Sequence, residues 1–178
     1  MEAQKLAPKK TYYAGVTFRS QLEAQFAFFF NACNGLIWDY EPFRDEESDY
    51  VPDFIIKRDH SRLKELYVEV KPLPNLTDKY AEKMAKFAEK HPLLIVDRLL
   101  IRNPVSQWVE QFPTWKKWGL RPWDFLTING TQEKAFPIID EIGQLHIAPF
   151  HYRNFIDCDL TYEVFEAARN FKFEEISK

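Results

Sequence analysis

The sequence predicts an α/β (α+β) fold, a central mixed β-sheet flanked by helices, followed by a C-terminal β-meander and helix. Three observations point there. Residues up to about 100 read in the order helix, strand, strand, strand, helix, strand. Leu66 to Lys71 alternates as a strand does and ends at Pro72. Residues 124 to 150 carry the turn signals Asn129-Gly130 and Ile142-Gly143 between apolar runs.

Each element has its own signal. Residues 1 to 10, with Pro8, Lys9 and Lys10, read as a basic arm. A first helix is expected over 17 to 34: Thr17 can cap it, Gln21 sits near the capping-box position, and Leu22, Phe26, Phe29 and Phe30 recur at helical spacing. Asn34-Gly35 stops it. Leu36 to Tyr40 is a short strand, Glu41 to Tyr50 an acidic loop, and Val51 to Ile56 a strand entered through Pro52. A second helix is expected over 77 to 90, ended by His91-Pro92, and then the strand Leu93 to Val96. Residues 103 to 123 hold Trp108, Trp115, Trp118 and Trp123 and read as an aromatic connector. A last helix spans about 160 to 172, with Asp159 as a cap. The expected divisions are the arm (1–10), a core (11–102), and the connector, meander and final helix packed on it (103–178).

Composition excludes several classes. A chain of 178 residues with 46% hydrophobic and 16% aromatic residues can bury a core, so disorder is not expected. No apolar run is long enough for a membrane helix, and the opening residues do not read as a secretory signal. Cys33 and Cys158 show no pairing pattern, which suits a reducing cytoplasm and not a disulfide scaffold. A net charge of −3 excludes a strongly basic nucleic-acid coat but not a local basic groove.

The chemistry is concentrated in Pro52-Asp53, the tripeptide Glu69-Val70-Lys71, and Glu23 on the first helix. Glu69 and Lys71 are two apart on a strand and share one sheet face, while Val68 and Val70 face the other way. Ionised side chains are rare in such a strand. A hard divalent cation held by oxygen ligands gives two carboxylates a reason to converge there, and the lysine then lies where a metal-bound water would attack a phosphate. An acid-x-Lys tripeptide is cheap: this composition would yield roughly two by chance. The chain has one, and it lies in an expected strand after a Pro-Asp. The competing reading is a surface Glu-Lys pair, with Asp53 capping a turn.

Pro52-Asp53 followed by Glu69-Val70-Lys71 resembles the motif of the PD-(D/E)XK, or restriction-endonuclease-like, nuclease superfamily. Phe18-Arg19-Ser20-Gln21-Leu22-Glu23-Ala24, Phe28-Phe29-Phe30, Trp38-x-Tyr40-Glu41-Pro42, Tyr50-x-Pro52-Asp53-Phe54, Val68-Glu69-Val70-Lys71-Pro72 and Ala167-Ala168-Arg169-x-Phe171-x-Phe173-Glu174 resemble a phage and prophage branch of small nucleases. The resemblance implies a restriction-endonuclease-like core and Mg²⁺-dependent hydrolysis of DNA phosphodiesters, with Mn²⁺ as a substitute. Asp53 and Glu69 would bind the metal with the Val70 carbonyl, Glu23 would add a helix acid, and Lys71 would position the attacking water or stabilise the phosphate. No Gln-x-x-x-Tyr precedes Tyr80, which argues against the exonuclease-like branch.

Lys79, Lys83, Lys86 and Lys90 fall at i, i+4, i+7 and i+11, so one helix face beside the motif is a candidate DNA-backbone contact through Lys79, Lys83 and Lys86. A solvated face balanced by Asp78, Glu82 and Glu89 explains the same stripe. Arg19 and Ser20 share part of the Glu23 face. They could touch phosphate, or serve as an ion pair and a cap. His146 and His151 lack partners at metal-ligand spacing and read as surface or packing residues. Cys33 reads as a small core residue. The leading expectation is an endonuclease of phage origin in the host cytoplasm, with DNA as partner and a homodimer or a phage or host protein as further partners. The alternative is a nuclease-like DNA- or protein-binding module, such as a phage counter-defence factor. A transposition nuclease subunit is a third reading, but a partner-binding domain is not recognisable in this sequence.

Overall fold

The structure, a computed structural model, describes residues 8–58, 65–72, 77–96, 98–99, 124–126, 132–149 and 159–176. The fold is α+β with a mixed sheet. The first described elements are a hairpin, β1 (Thr11–Tyr13) and β2 (Val16–Phe18), and then helix α1 (Gln21–Asn31). Next come β3 (Leu36–Tyr40), β4 (Phe54–Arg58), β5 (Glu65–Val70), α2 (Asp78–Ala88) and β6 (Leu93–Val96). The C-terminal part contains β7 (Asp124–Leu126), β8 (Gln132–Ile139), β9 (Leu145–Pro149), α3 (Asp159–Asn170) and β10 (Glu174–Glu175).

The large sheet runs β3-β4-β5-β6-β7-β8-β9. Every neighbouring pair in it is antiparallel except β5–β6, which is parallel and bridged by α2. This follows the general rule that a parallel pair needs a crossover element. The expected meander is present as β7-β8-β9. Its Ile142-Gly143 turn is closed by the Gly143 N–H donating to the Asp140 carbonyl at 2.9 Å. The connector tryptophans, Asn129-Gly130, His151 and Cys158 lie outside the described residues.

Strand parity builds the core. Phe54, Ile56, Val68 and Val70 face α1, where Phe26, Phe29 and Phe30 are buried, and α3 adds Phe165 and Ala168. Ile55, Tyr67 and Ile95 face α2, packing on Ala81, Met84 and Phe87. A fully buried Phe stabilises the fold by about 1.5–3 kcal/mol, so the aromatic cluster around Phe54 is a major support of the β4 entry.

The start of α1 differs from expectation. Thr17 lies in β2, and Ser20 is the cap, with its hydroxyl accepting the Glu23 N–H at 3.2 Å. The hairpin claims residues 11–18 because Ala14 and Gly15 both take positive φ (50° and 83°). A two-residue turn of that kind matches the twist of the flanking strands. β10 pairs with β1, so a second, three-stranded sheet ties the described C-terminal residues to the hairpin.

Candidate active site

Three carboxylates are carried to one place by ordinary backbone geometry. The β4–β5 register pairs Phe54 with Val68 and, continued one step, sets Asp53 opposite Glu69. Glu41 holds the other side of Asp53: its N–H donates to the Asp53 carbonyl at 2.8 Å, with Glu41 itself at φ 46°. The capping box at the head of α1 supplies Glu23, whose carboxylate accepts the Ser20 hydroxyl at 2.9 Å and the Arg19 N–H at 3.1 Å.

Glu23, Asp53, Glu69, Val70 and Lys71 all line one cavity of about 510 Å³, and Arg19 and Tyr80 are among its other polar lining residues. The three acids are buried, with Asp53 and Glu69 each 1% exposed. Buried carboxylates need partners. Asp53 accepts the Val70 N–H at 2.7 Å through Oδ2 and pairs with the Arg19 guanidinium through Oδ1. Glu69 accepts the Tyr50 hydroxyl at 2.5 Å and the Tyr80 hydroxyl at 2.8 Å, one on each oxygen. Glu23 also accepts the Tyr40 hydroxyl. The Lys71 ammonium lies over the Tyr80 ring, 4.5 Å from its centre.

The electrostatics follow. Burial raises the Asp53 carboxyl well above its ordinary value, helped by the charges of Glu69 and Glu23 and opposed by Arg19 and the Val70 N–H. Burial likewise raises Glu69, against the hydrogen bonds of Tyr50 and Tyr80 and the charge of Lys71. Arg19 loses to burial but gains more from Asp53, Tyr40 and Glu23, so its guanidinium is held charged. Burial, then the charge of Glu69, raises the Tyr50 and Tyr80 hydroxyls. They remain donors at neutral pH.

The donor set is one of hard oxygens and suits Mg²⁺, which takes one or two carboxylates and keeps several waters. Asp53 and Glu69 with the Val70 carbonyl would hold it. Among the described residues no group of three His, Cys, Asp or Glu side chains stands at metal-ligand spacing. Glu23 lines the same cavity, with its carboxylate hydrogen-bonded by Ser20, Arg19 and Tyr40.

The lysine face meets the acidic loop. Lys83 donates to the Asp49 carbonyl and carboxylate, and Lys86 to the Glu47 carbonyl at 2.7 Å. Lys90 pairs with the Glu47 carboxylate. The stripe holds the acidic loop, because α2 and the loop pack on the same side of the sheet. Lys79 is exposed. The loop is itself ordered: Asp45 accepts the Ser48 N–H at 2.8 Å, Arg44 pairs with Asp49, and Tyr50 is buried at the loop's end. His146 contacts Asp140 at 2.7 Å, away from the cavity, and Cys33 is buried.

Tyr40, Tyr50 and Tyr80 are the site residues that sequence reasoning missed. Tyr40 and Tyr50 stand inside the quoted resemblance segments, and Tyr80 lies within the expected second helix. Their hydroxyl targets depend on pairings 11 to 19 residues away and have no local signature. The fold and site thus define an α+β protein with an acid-lined, lysine-bearing cavity at one end of a mixed sheet. Comparisons with protein-family models, curated proteins and solved structures gave no match. Among the described residues no helix is long and apolar enough to cross a membrane.

Proposed function

We propose that this chain is a divalent-metal-dependent nuclease of restriction-endonuclease-like fold, hydrolysing DNA phosphodiester bonds as an endonuclease of phage origin. The observation that carries the reading is the meeting of Asp53, Glu69 and Lys71 at one cavity wall, two buried acids and a lysine at the neighbouring ends of β4 and β5. A bound Mg²⁺ would supply Lewis-acid activation of water and charge neutralisation at phosphorus. Asp53 and Glu69 orient their carboxylates through Val70, Tyr50 and Tyr80. Lys71 donates to the attacking water or to the charge developing on the phosphate. The wall is preorganised, because most of its polar atoms already have fixed partners.

The second reading, a nuclease-like binding module, draws on a specific observation. Arg19 occupies Asp53, and both Glu69 oxygens accept hydrogen bonds. A cleft neutralised in this way can receive a phosphate without cutting it. The two separate in one assay, in which labelled single-stranded, double-stranded and branched DNA and RNA are incubated with Mg²⁺ or Mn²⁺, with and without chelator. Metal-dependent cleavage of DNA supports the nuclease. Binding to the same substrates without cleavage at any metal concentration supports the module.

A further inference from the structure

We infer that Arg19 is the resident counter-ion of the acid cluster, and that a divalent cation entering the cavity displaces its guanidinium from Asp53. This rests on the metal reading above. Asp53 is buried and faces the charges of Glu69 and Glu23. A carboxylate ionised in that position is stabilised by a compensating cation. Lys71 stands over the Tyr80 ring, and the cation on Asp53 is Arg19. The other Asp53 oxygen is held by the Val70 N–H. The oxygen on Arg19 is therefore the one a metal would take, and a metal there would stand close to the guanidinium, where like charges repel.

The Arg19 side chain is built to leave. It is 53% exposed where the Asp53 side chain is 2% exposed, so its departure costs little in packing while Asp53 stays behind. It keeps an anchor at the cavity mouth, since Glu41 lies 3.0 Å and the Tyr40 hydroxyl 3.3 Å from its Nε. A guanidinium released there faces the same space as Lys71 and can pair with a phosphate oxygen, so metal entry and substrate capture are linked through one side chain.

The test uses Mn²⁺ alone, measured by titration calorimetry and by thermal unfolding in chelator and in saturating Mn²⁺. Arg19→Gln should bind Mn²⁺ roughly tenfold more tightly than wild type, because the metal no longer has to displace a bound cation. It should melt lower than wild type in chelator, and Mn²⁺ should close the gap. Lys9→Gln removes another positive charge from the same cavity wall and controls for simple charge loss. Equal tightening in Lys9→Gln, or unchanged affinity in Arg19→Gln, overturns the inference. A parallel measurement needs no variant: in the wild type, the NMR signal of the Arg19 Nη–H group that pairs with Asp53 should shift as Mg²⁺ is added. Metal binding with that signal unmoved sinks the displacement alone. A wild type and an Arg19→Gln protein that both bind no divalent cation sink the metal reading itself.

Discussion

Tyr80 touches both halves of the proposed machinery, its hydroxyl on Glu69 and its ring under Lys71. The two contacts can be removed separately. Tyr80→Phe keeps the ring and loses the donor. Groups that orient a metal-binding carboxylate typically matter by 10- to 100-fold, so cleavage and Mn²⁺ affinity should both fall roughly tenfold. Tyr80→Leu also removes the surface beneath Lys71 and should lose turnover further without a further loss of metal affinity. Cleavage and metal-titration curves for the two variants decide it; identical curves for wild type and Tyr80→Phe would show that the Tyr80 hydroxyl does not orient Glu69. The acids and the lysine were legible because parity is a local rule: two residues apart on a strand is one face. The tyrosines were not, since a hydroxyl's target depends on which strand or helix arrives opposite.

The acidic loop and α2 act as one unit through Lys83, Lys86 and Lys90. The Lys83 hydrogen bond, together with Arg44, lowers the Asp49 carboxyl to about 2. Its folded value lies below the ordinary 3.8, so any stabilisation from Asp49 is present above pH 3.8 and is lost as pH falls toward about 2. The pairs are exposed, so the effect on global stability is small and the loop itself is the place to look. An NMR titration of the Asp49 carboxyl should give a midpoint near 2, moving back toward the ordinary value in Lys83→Gln. Reversing Lys83 and Lys86 to Glu should speed amide exchange at Tyr50, which donates to Asp45, and leave the salt slope of DNA binding nearly unchanged. A slope that falls by about two, with Tyr50 exchange unaltered, would return these lysines to phosphate contact. Helical spacing identified the stripe but not its partners, which are 34 to 43 residues away. The first hairpin was hidden for a related reason: its strands are three residues each, and Thr17 before an apolar run imitates a helix cap.

At the scale of the whole molecule, a hydrogen-bonded turn of the meander meets the residues just after α1. The Asn34 N–H donates to the Gly143 carbonyl at 2.7 Å, and its side-chain amide to the Ile142 carbonyl at 2.5 Å. Gly143 has φ +81°, and a Cβ there would stand 2.6 Å from Asn34 Nδ2. Gly143→Ala should therefore destabilise the protein by more than about 1 kcal/mol in urea unfolding. Adding Asn34→Ala removes the collision but not the backbone strain, so the double variant should recover part of the loss. Full stability in Gly143→Ala would mean that this turn does not hold the two parts together.

The central claim is that Asp53, Glu69 and Lys71 form a phosphodiester-hydrolysing site, and its most direct test is DNA cleavage across a Mg²⁺ and Mn²⁺ titration for wild type, Lys71→Ala and Asp53→Asn, with circular dichroism as the folding control. Wild type should cut only with metal. Lys71→Ala should stay folded and bind metal but lose turnover by orders of magnitude, because the lysine acts on the reacting atoms and not on the cation. Asp53→Asn should regain some activity at high Mn²⁺, which tolerates a poorer ligand set. Near-normal metal-dependent cleavage by Lys71→Ala would contradict the account and move the chemistry to another part of the chain.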